Sequence, residues 1–259
     1  MSVVVDRMAV GRMKSLARAE LTLFGRSRGM IVTAVFMPLV LPLSVRAVVE
    51  DMDLKGTGLS VGTVLLPGAI GFSLLFAVYS ALVGVFVARR EELVLKRLRT
   101  GELRDGEIIA GTALPAVTTG LVQSLVLIAA CTALLDIPAP KAPHLAVLGL
   151  LLGLATSALL AAVTAAFTRT VESAQVTALP LVLVAMAGSG MTVPLELLPD
   201  RMASVCELLP LTPVITLIRG GWTGELSAYE TIGPLMTALA WAAAGVFAVG
   251  RWFRWEPRR

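Results

Sequence analysis

A charged segment at residues 89–107, RREELVLKRLRTGELRDGE, separates two long apolar blocks of the chain. Six of its 19 residues are Lys or Arg and five are acidic, so this segment cannot lie in hydrocarbon. The apolar blocks carry no charge near their centres, and about 20 such residues are enough to cross a bilayer as a helix. The chain must therefore alternate between membrane-crossing helices and polar connections at the membrane surface.

The composition supports a membrane protein. Hydrophobic residues make up 56% of the 259 residues, charged residues make up 15%, and the mean hydropathy is +0.84. This is more apolar surface than a soluble core of that size could bury, which predicts an all-α polytopic membrane protein. The net charge of +4 is divided among segments that apolar runs separate, so we expect no nucleic-acid partner. The excess of Arg over Lys is a weak indication of a bacterial source.

The hydropathy pattern predicts a single domain, 1–259, with six transmembrane helices. Their predicted bounds are 30–49, 64–88, 108–135, 145–167, 176–193 and 231–250. Residues 1–28 carry basic residues beside an apolar face, which is typical of an amphipathic helix lying in the membrane interface. Prolines interrupt residues 194–229, a pattern that favours short re-entrant or interfacial helices on the extracytoplasmic side.

The positive charges predict the orientation of these six helices. With six spans, 17 of the 22 Lys and Arg residues fall on one side, in the N-terminal segment, the 89–107 segment, the connection at Arg169 and the tail. Basic residues concentrate on the cytoplasmic side of membrane proteins. We therefore expect a multi-pass protein of the bacterial cytoplasmic membrane, with both termini and the 89–107 segment in the cytoplasm.

The first part of the 89–107 segment has the pattern of a short amphipathic helix. Val94, Leu95 and Leu98 would share one side of this helix, and Lys96 and Arg99 would lie on the opposite side. Thr100 and Gly101 would end it, because Gly readily takes the left-handed conformation that closes a helix. A second interpretation stays open at this point, in which the segment is a solvated loop that only fixes topology.

The polar residues inside the predicted spans are hydroxyls and amides, and for most of them packing between helices is the favoured interpretation. An amide is costly to bury in lipid, so Gln123 is the strongest single candidate for a residue lining a substrate path. The candidates for such a path are Tyr79, Thr119, Gln123, Ser157 and Ser189.

The sequence offers no catalytic set, metal site or nucleotide loop. Ser189 lies between two glycines but lacks the fuller nucleophile motif, and His144 is the single histidine available as a base. Neither the two cysteines nor His144 has metal-ligand spacing, and no lysine lies in a phosphate-binding loop. We therefore predict that the chain is not an enzyme and holds no cofactor, so any energy for transport comes from another polypeptide.

Two stretches, in this order along the chain, carry a resemblance to a known family. The stretch ARREELVLKRLRTGELRDGEIIAGTALP precedes the third predicted span, and MTVPLELLPDRMASVCELLPLTPVITLIRGG precedes the last one. Together with the basic N-terminal helix, they resemble the ABC type-2 exporter permeases over essentially the whole chain. The short connections are more similar to the small-molecule, drug-resistance and antibiotic-resistance branch than to permeases with large external domains.

The resemblance implies partners and a site. It implies that the chain forms a dimer with itself or with a related permease, and that this dimer exports a hydrophobic small molecule. The dimer would work with a separate ABC ATP-binding subunit, and that subunit would bind ATP and Mg. It also implies that the amphipathic helix is the coupling helix that contacts the ATPase. The implied contact residues are Glu91, Glu92, Val94, Leu95, Lys96, Arg97, Leu98, Arg99, Thr100 and Gly101. The alternative is a secondary transporter or channel that works without ATP, whereas a membrane hydrolase is disfavoured because no base is available.

Overall fold

The structure is a computed structural model that describes residues 60–101, 103–134 and 137–256. In these ranges every regular element is a helix, and five helical segments are long and apolar enough to cross a membrane. The prediction of an all-α polytopic membrane protein is therefore confirmed. The predicted amphipathic helix at 1–28 and the predicted span at 30–49 lie outside the described residues.

The first described span is one rod of 31 residues, Val61–Glu91. It consists of helix α1 (Val61–Ser73), a π-helical segment (Leu74–Ser80) and helix α2 (Ala81–Glu91). The hydroxyl of Ser60 accepts a hydrogen bond from the backbone N–H of Thr63 and so caps α1. We call this element the 61–91 rod.

Seven further α-helices follow in the described part of the chain. They are α3 (Val94–Arg99), α4 (Asp105–Leu134), α5 (Pro143–Phe167), α6 (Val171–Gly188), α7 (Asp200–Glu207), α8 (Thr212–Thr223) and α9 (Ala228–Trp252). A short 3₁₀ turn, Leu195–Leu197, precedes α7. The helices α4, α5, α6 and α9 are the other four candidate spans.

The predicted spans 64–88, 145–167 and 231–250 fall inside the 61–91 rod, α5 and α9 respectively. The predicted span 176–193 is displaced, because the helix at this place is Val171–Gly188. Thr170 and Ser173 form a capping box that starts α6 five residues earlier than predicted. After α6 the chain turns at Gly190, whose φ of +70° is a conformation that glycine adopts readily.

Helices α7 and α8 are bent relative to each other by 101°. With eight and twelve residues, they are about 12 and 18 Å long, so neither alone can cross hydrocarbon about 30 Å thick. Pro213 occupies the first turn of α8, and Gly224 ends this helix in the left-handed conformation. This geometry is compatible with the predicted short helices in 194–229.

Helix α5 lies at the centre of the described bundle and packs against the 61–91 rod, α4, α6, α8 and α9. Small residues permit this close packing. A Cβ added to Gly153, for example, would lie 2.6 Å from Leu74 Cδ1 and 2.7 Å from Val214 Cγ1. In consequence α5 holds the rod and the bent α7–α8 pair together.

Candidate functional site

The predicted coupling segment contains a break that the sequence pattern did not reveal. Helix α2 continues through Glu91, and a new helix, α3, begins at Val94. Between them Leu93 has a φ of 59°, a left-handed conformation that is uncommon for a residue other than glycine. The prediction of one helix from Glu91 to Gly101 is therefore wrong, because Leu93 turns the chain between α2 and α3.

Helix α3 ends near the predicted position, but by a different mechanism. Its last residue is Arg99, and the Thr100 hydroxyl donates to the carbonyl oxygen of Arg97 at 2.8 Å. Gly101 does not have a positive φ, so the expected left-handed glycine cap is absent at this place. The hydroxyl of Thr100 satisfies a terminal carbonyl instead.

The apolar residues of α3 face two different directions. Leu95 is fully buried within the chain, whereas the side chains of Leu93 and Leu98 are 39% and 36% exposed. The prediction that Leu95 contacts an ATPase is inconsistent with this burial, since a buried side chain cannot reach a partner. The outward apolar surface at this place consists of Leu98 of α3 and Leu93 of the turn before it.

The basic face of α3 contacts the segment after α9. Lys96 Nζ lies 2.8 Å from Glu256 Oε1, and the Arg99 guanidinium lies 4.9 Å from the centre of the Trp255 ring. Arg99 Nε also lies 3.0 Å from Asp105 Oδ1. These ion pairs are about half exposed, so each contributes at most about 1 kcal/mol. Of the other predicted contact residues, Val94 is half-buried, and Glu91, Glu92, Arg97, Thr100 and Gly101 are exposed.

Arg90, which precedes the predicted contact residues, is 1% exposed. Its Nη1 donates to the carbonyl oxygen of Ala165 at 2.9 Å, and its Nη2 donates to those of Thr168 at 2.6 Å and Arg169 at 3.3 Å. The last carbonyls of a helix lack partners within that helix and form its negative end. Arg90 therefore caps the end of α5.

The sequence analysis predicted only that Arg90 lies outside hydrocarbon with the rest of the 89–107 segment, and it gave Arg90 no partner. A signal for its burial is present, since Val83, Val87 and Arg90 follow one another at spacings of four and three residues. This spacing puts Arg90 on the same helix face as two buried valines. The identity of its partners required the three-dimensional structure.

The neighbouring Glu91 contacts the next helix. Its Oε1 accepts a hydrogen bond at 3.2 Å from the backbone N–H of Val171, the first residue of α6. Carboxylates stabilise the positive end of a helix, where backbone N–H groups are unpaired. Arg90 and Glu91 thus bind the two sides of the connection at 168–170, which joins α5 to α6.

Three of the five substrate-path candidates form hydrogen bonds inside the chain. Ser73 Oγ donates to Gln123 Oε1 at 2.9 Å. The Tyr79 hydroxyl lies 3.1 Å from Thr164 Oγ1 and donates to the carbonyl oxygen of Ala178. Thr119 donates to the carbonyl oxygen of Pro115, one turn earlier in its own helix.

The other two candidates, Ser157 and Ser189, are fully buried. Among the described residues, no hydrogen bond joins any two of the five candidates. An apolar cavity of about 220 Å³ lies between α1, α4, α5 and α8, and none of the five lines it. The contacts of Gln123 and Tyr79 favour a role in packing between helices, and their role in a substrate path stays a prediction.

A second buried arginine lies in α8. Arg219 Nη2 donates to the carbonyl oxygen of Gly190 at 2.8 Å, and its Nη1 lies 3.3 Å from Glu196 Oε2. The side chain of Arg219 is 8% exposed. Because Gly190 and Glu196 both belong to the connection after α6, Arg219 fastens this connection to α8. In the sequence analysis Arg219 was one of the five basic residues outside the 17 assigned to the cytoplasmic side.

Residues suited to hold a metal ion do not come together in the described ranges. No group of three or more His, Cys, Asp or Glu side chains there has the proximity that a metal site requires. Cys131 is buried and Cys206 is half-buried, and both are free thiols. The site with the most specific geometry is therefore the end of the 61–91 rod together with α3.

Comparison of the chain with known proteins found a matching family model. A family model described as ABC-2 type transporter matches residues 12–222 of the chain. No curated protein matches the chain. The matched range includes the 61–91 rod, α3 and the helices through most of α8.

Proposed function

The chain belongs to the ABC-2 type transporter family, and from this premise we propose that it is an export permease driven by a separate ATP-binding subunit. A permease component of such a transporter lies in the membrane and works with an ATP-binding subunit. In the proposed division of work, the partner subunit binds ATP and Mg and hydrolyses the nucleotide. This chain forms the path through the membrane, and the conformational change of the ATP-binding subunit moves it.

The observation that carries the proposal is helix α3, a separate six-residue helix between two candidate spans. This helix and the turn before it present two exposed leucines, Leu93 and Leu98, beside the exposed charges of Glu92 and Arg97. In a docking surface, apolar contact gives affinity and charge pairing gives orientation. We propose that this surface contacts the ATP-binding subunit.

We further propose that the substrate is a hydrophobic small molecule, such as a drug or antibiotic, and that the permease acts as a homodimer or with a related permease. The short connections support this size of substrate. The proposed location is the bacterial cytoplasmic membrane, with both termini in the cytoplasm, and the distribution of basic residues supports it.

Two substitutions test the ATPase contact without disturbing the buried Leu95. Leu98→Asp places a charge on the exposed leucine. Leu93→Asn removes the other leucine and introduces a residue that tolerates the left-handed conformation better. We expect both variants to insert into membranes and to keep the wild-type melting temperature, but to lose co-purification with the ATP-binding subunit.

Leu197→Asp is the matched control, because Leu197 is 37% exposed and lies in the 3₁₀ turn before α7. This control should co-purify normally. Normal co-purification of Leu98→Asp and Leu93→Asn would contradict the proposed contact. Substrate movement in proteoliposomes that contain this chain alone would instead support the ATP-independent transporter or channel.

A further inference from the structure

The 61–91 rod is hydrogen-bonded to both α5 and α6 at two levels. At its end, Arg90 binds the last carbonyls of α5 and Glu91 binds the first N–H of α6. About 16 Å before this end of the rod, a second pair of adjacent residues contacts the same two helices. Tyr79 contacts Thr164 of α5, and Ser80 donates to Gln175 of α6 at 2.8 Å.

The contact at the end of the rod is the more rigid of the two levels, because it involves a buried charge. A buried arginine is costly unless its donors are paired, and Arg90 has three carbonyl acceptors within 3.3 Å. Moving Arg90 away from α5 would break these three hydrogen bonds of a buried charge. Glu91 is exposed, so its hydrogen bond to Val171 contributes little free energy. Its main effect is to orient the end of the rod relative to α6.

The distance along the chain between this contact and α3 is very short. Only Glu92 and Leu93 separate Glu91 from the first residue of α3. The connection between α5 and α6 is only the three residues Thr168, Arg169 and Thr170. Neither link is long enough to absorb a displacement of α3 relative to α6.

We propose that Arg90 and Glu91 are positioning residues that make α3, the end of the rod and the 168–170 connection move as one body. A displacement of α3 by the ATP-binding subunit then reaches α6 through this connection. The inference rests on the proposed function, since it requires a partner that moves α3. We call Arg90, Glu91 and their acceptor and donor groups in 165–171 the rod clamp.

Hydrogen–deuterium exchange of the complex with its ATP-binding subunit tests the rod clamp. The exchange of segments 94–99 and 168–175 is measured without nucleotide and after trapping with ADP and vanadate. In the wild type we expect trapping to change the exchange of both segments. In Arg90→Met we expect the change at 94–99 to persist and the change at 168–175 to be lost.

The matched control is Arg169→Met, which removes a positive charge from the connection that Arg90 binds but leaves the backbone carbonyl of residue 169 in place. Arg169 is exposed, and we expect this variant to behave as the wild type. If Arg169→Met loses the change at 168–175 to the same extent as Arg90→Met, local charge and not the rod clamp is responsible. If Arg90 only stabilises the fold, Arg90→Met would alter the exchange equally with and without nucleotide. That result would also overturn the proposal.

Glu91→Ala provides a test if Arg90→Met fails to fold, because the exposed Glu91 makes a smaller contribution to stability. We expect a smaller trapping-induced change at 168–175 in this variant, with the change at 94–99 retained. An unchanged response at 168–175 would overturn the inference. Failure of the proposed function has a different signature, since the wild type itself would then neither co-purify with an ATP-binding subunit nor respond at 94–99.

Discussion

Two buried arginines hold connections of this protein in place, Arg90 at one end of the bundle and Arg219 in α8. Each of them donates to backbone carbonyls just beyond or at the end of a helix. Arg90 has its described partners in α5 and the connection that follows it, whereas Arg219 combines a carbonyl with the carboxylate of Glu196. A guanidinium suits both places because its several donors point in fixed directions.

Arg219→Met should lower the stability of the protein. The substitution removes the bonds to Gly190 and Glu196, and hydrogen bonds to charged groups contribute about 2 kcal/mol each. Glu196 is 45% exposed and can turn to solvent, so we expect a loss of about 2 kcal/mol in total. A thermal melt in detergent, followed by tryptophan fluorescence, measures this change.

Arg201→Met is the control for that measurement, since Arg201 is an exposed arginine in the adjacent helix α7. The control should melt at the wild-type temperature. Equal melting temperatures for Arg219→Met and the wild type would show that the buried pair is not stabilising.

At the scale of the elements, the helices were largely predictable because an apolar run of about 20 residues has few alternatives in a membrane. The first turns of these helices were not predictable from hydropathy, because the residues that cap a helix are polar and lie before the apolar run. Helix α6 starts at its Thr170–Ser173 capping box and α9 starts at the one formed by Ser227 and Glu230. The predicted spans began several residues later in both cases.

The functional segment was predictable only in part. The charge pattern correctly indicated a short helix between two candidate spans, which is α3. The left-handed turn at Leu93 and the burial of Leu95 depend on contacts with distant parts of the chain. A helical projection of local sequence cannot show which side of such a helix the protein itself will cover.

The segment after α9 supports α3, which leads to a prediction about this pair of elements. Phe253 packs edge to face on Phe86 of the 61–91 rod, and Trp255 lies against Arg99. We expect Phe253→Ala and Trp255→Ala to loosen α3, because each removes an aromatic contact. Trypsin should then cleave faster after Arg97 and Arg99 in membrane vesicles that expose this side.

Glu256→Gln is the matched change in the same segment, since it removes the charge that pairs with Lys96 and leaves both aromatic side chains in place. Such a pair contributes little, so its cleavage should resemble that of the wild type. Cleavage of the two aromatic variants at the wild-type rate would mean that the segment does not hold α3.

At the scale of the whole molecule, the number of crossings determines which connections share a compartment. The described residues contain five candidate spans, and the bent α7–α8 pair would make a sixth if it crossed. Only α4 lies between Arg97 and Lys141, so a crossing by α4 puts them on opposite sides, and we expect Arg97 in the cytoplasm and Lys141 outside. The distribution of basic residues supports this arrangement.

Single-cysteine labelling tests the orientation in a background without Cys131 and Cys206. Arg97 and Lys141 are both exposed, so cysteines at these positions are accessible to a reagent on the correct side. We expect a membrane-impermeant maleimide to label position 141 in right-side-out vesicles and position 97 only in inverted ones. Detergent should permit both reactions, and labelling of both positions from one side would contradict the topology.

The position of the rod clamp also limits how coupling segments can be exchanged between related permeases. A graft that replaces residues after Glu91 keeps the native partners of α5 and α6 in place. A graft with its junction before Arg90 carries in a foreign side chain that must fit the recipient's 168–170 connection. A chimaera designed to accept a new ATPase should therefore transfer only the segment beyond Glu91, or transfer that connection together with it.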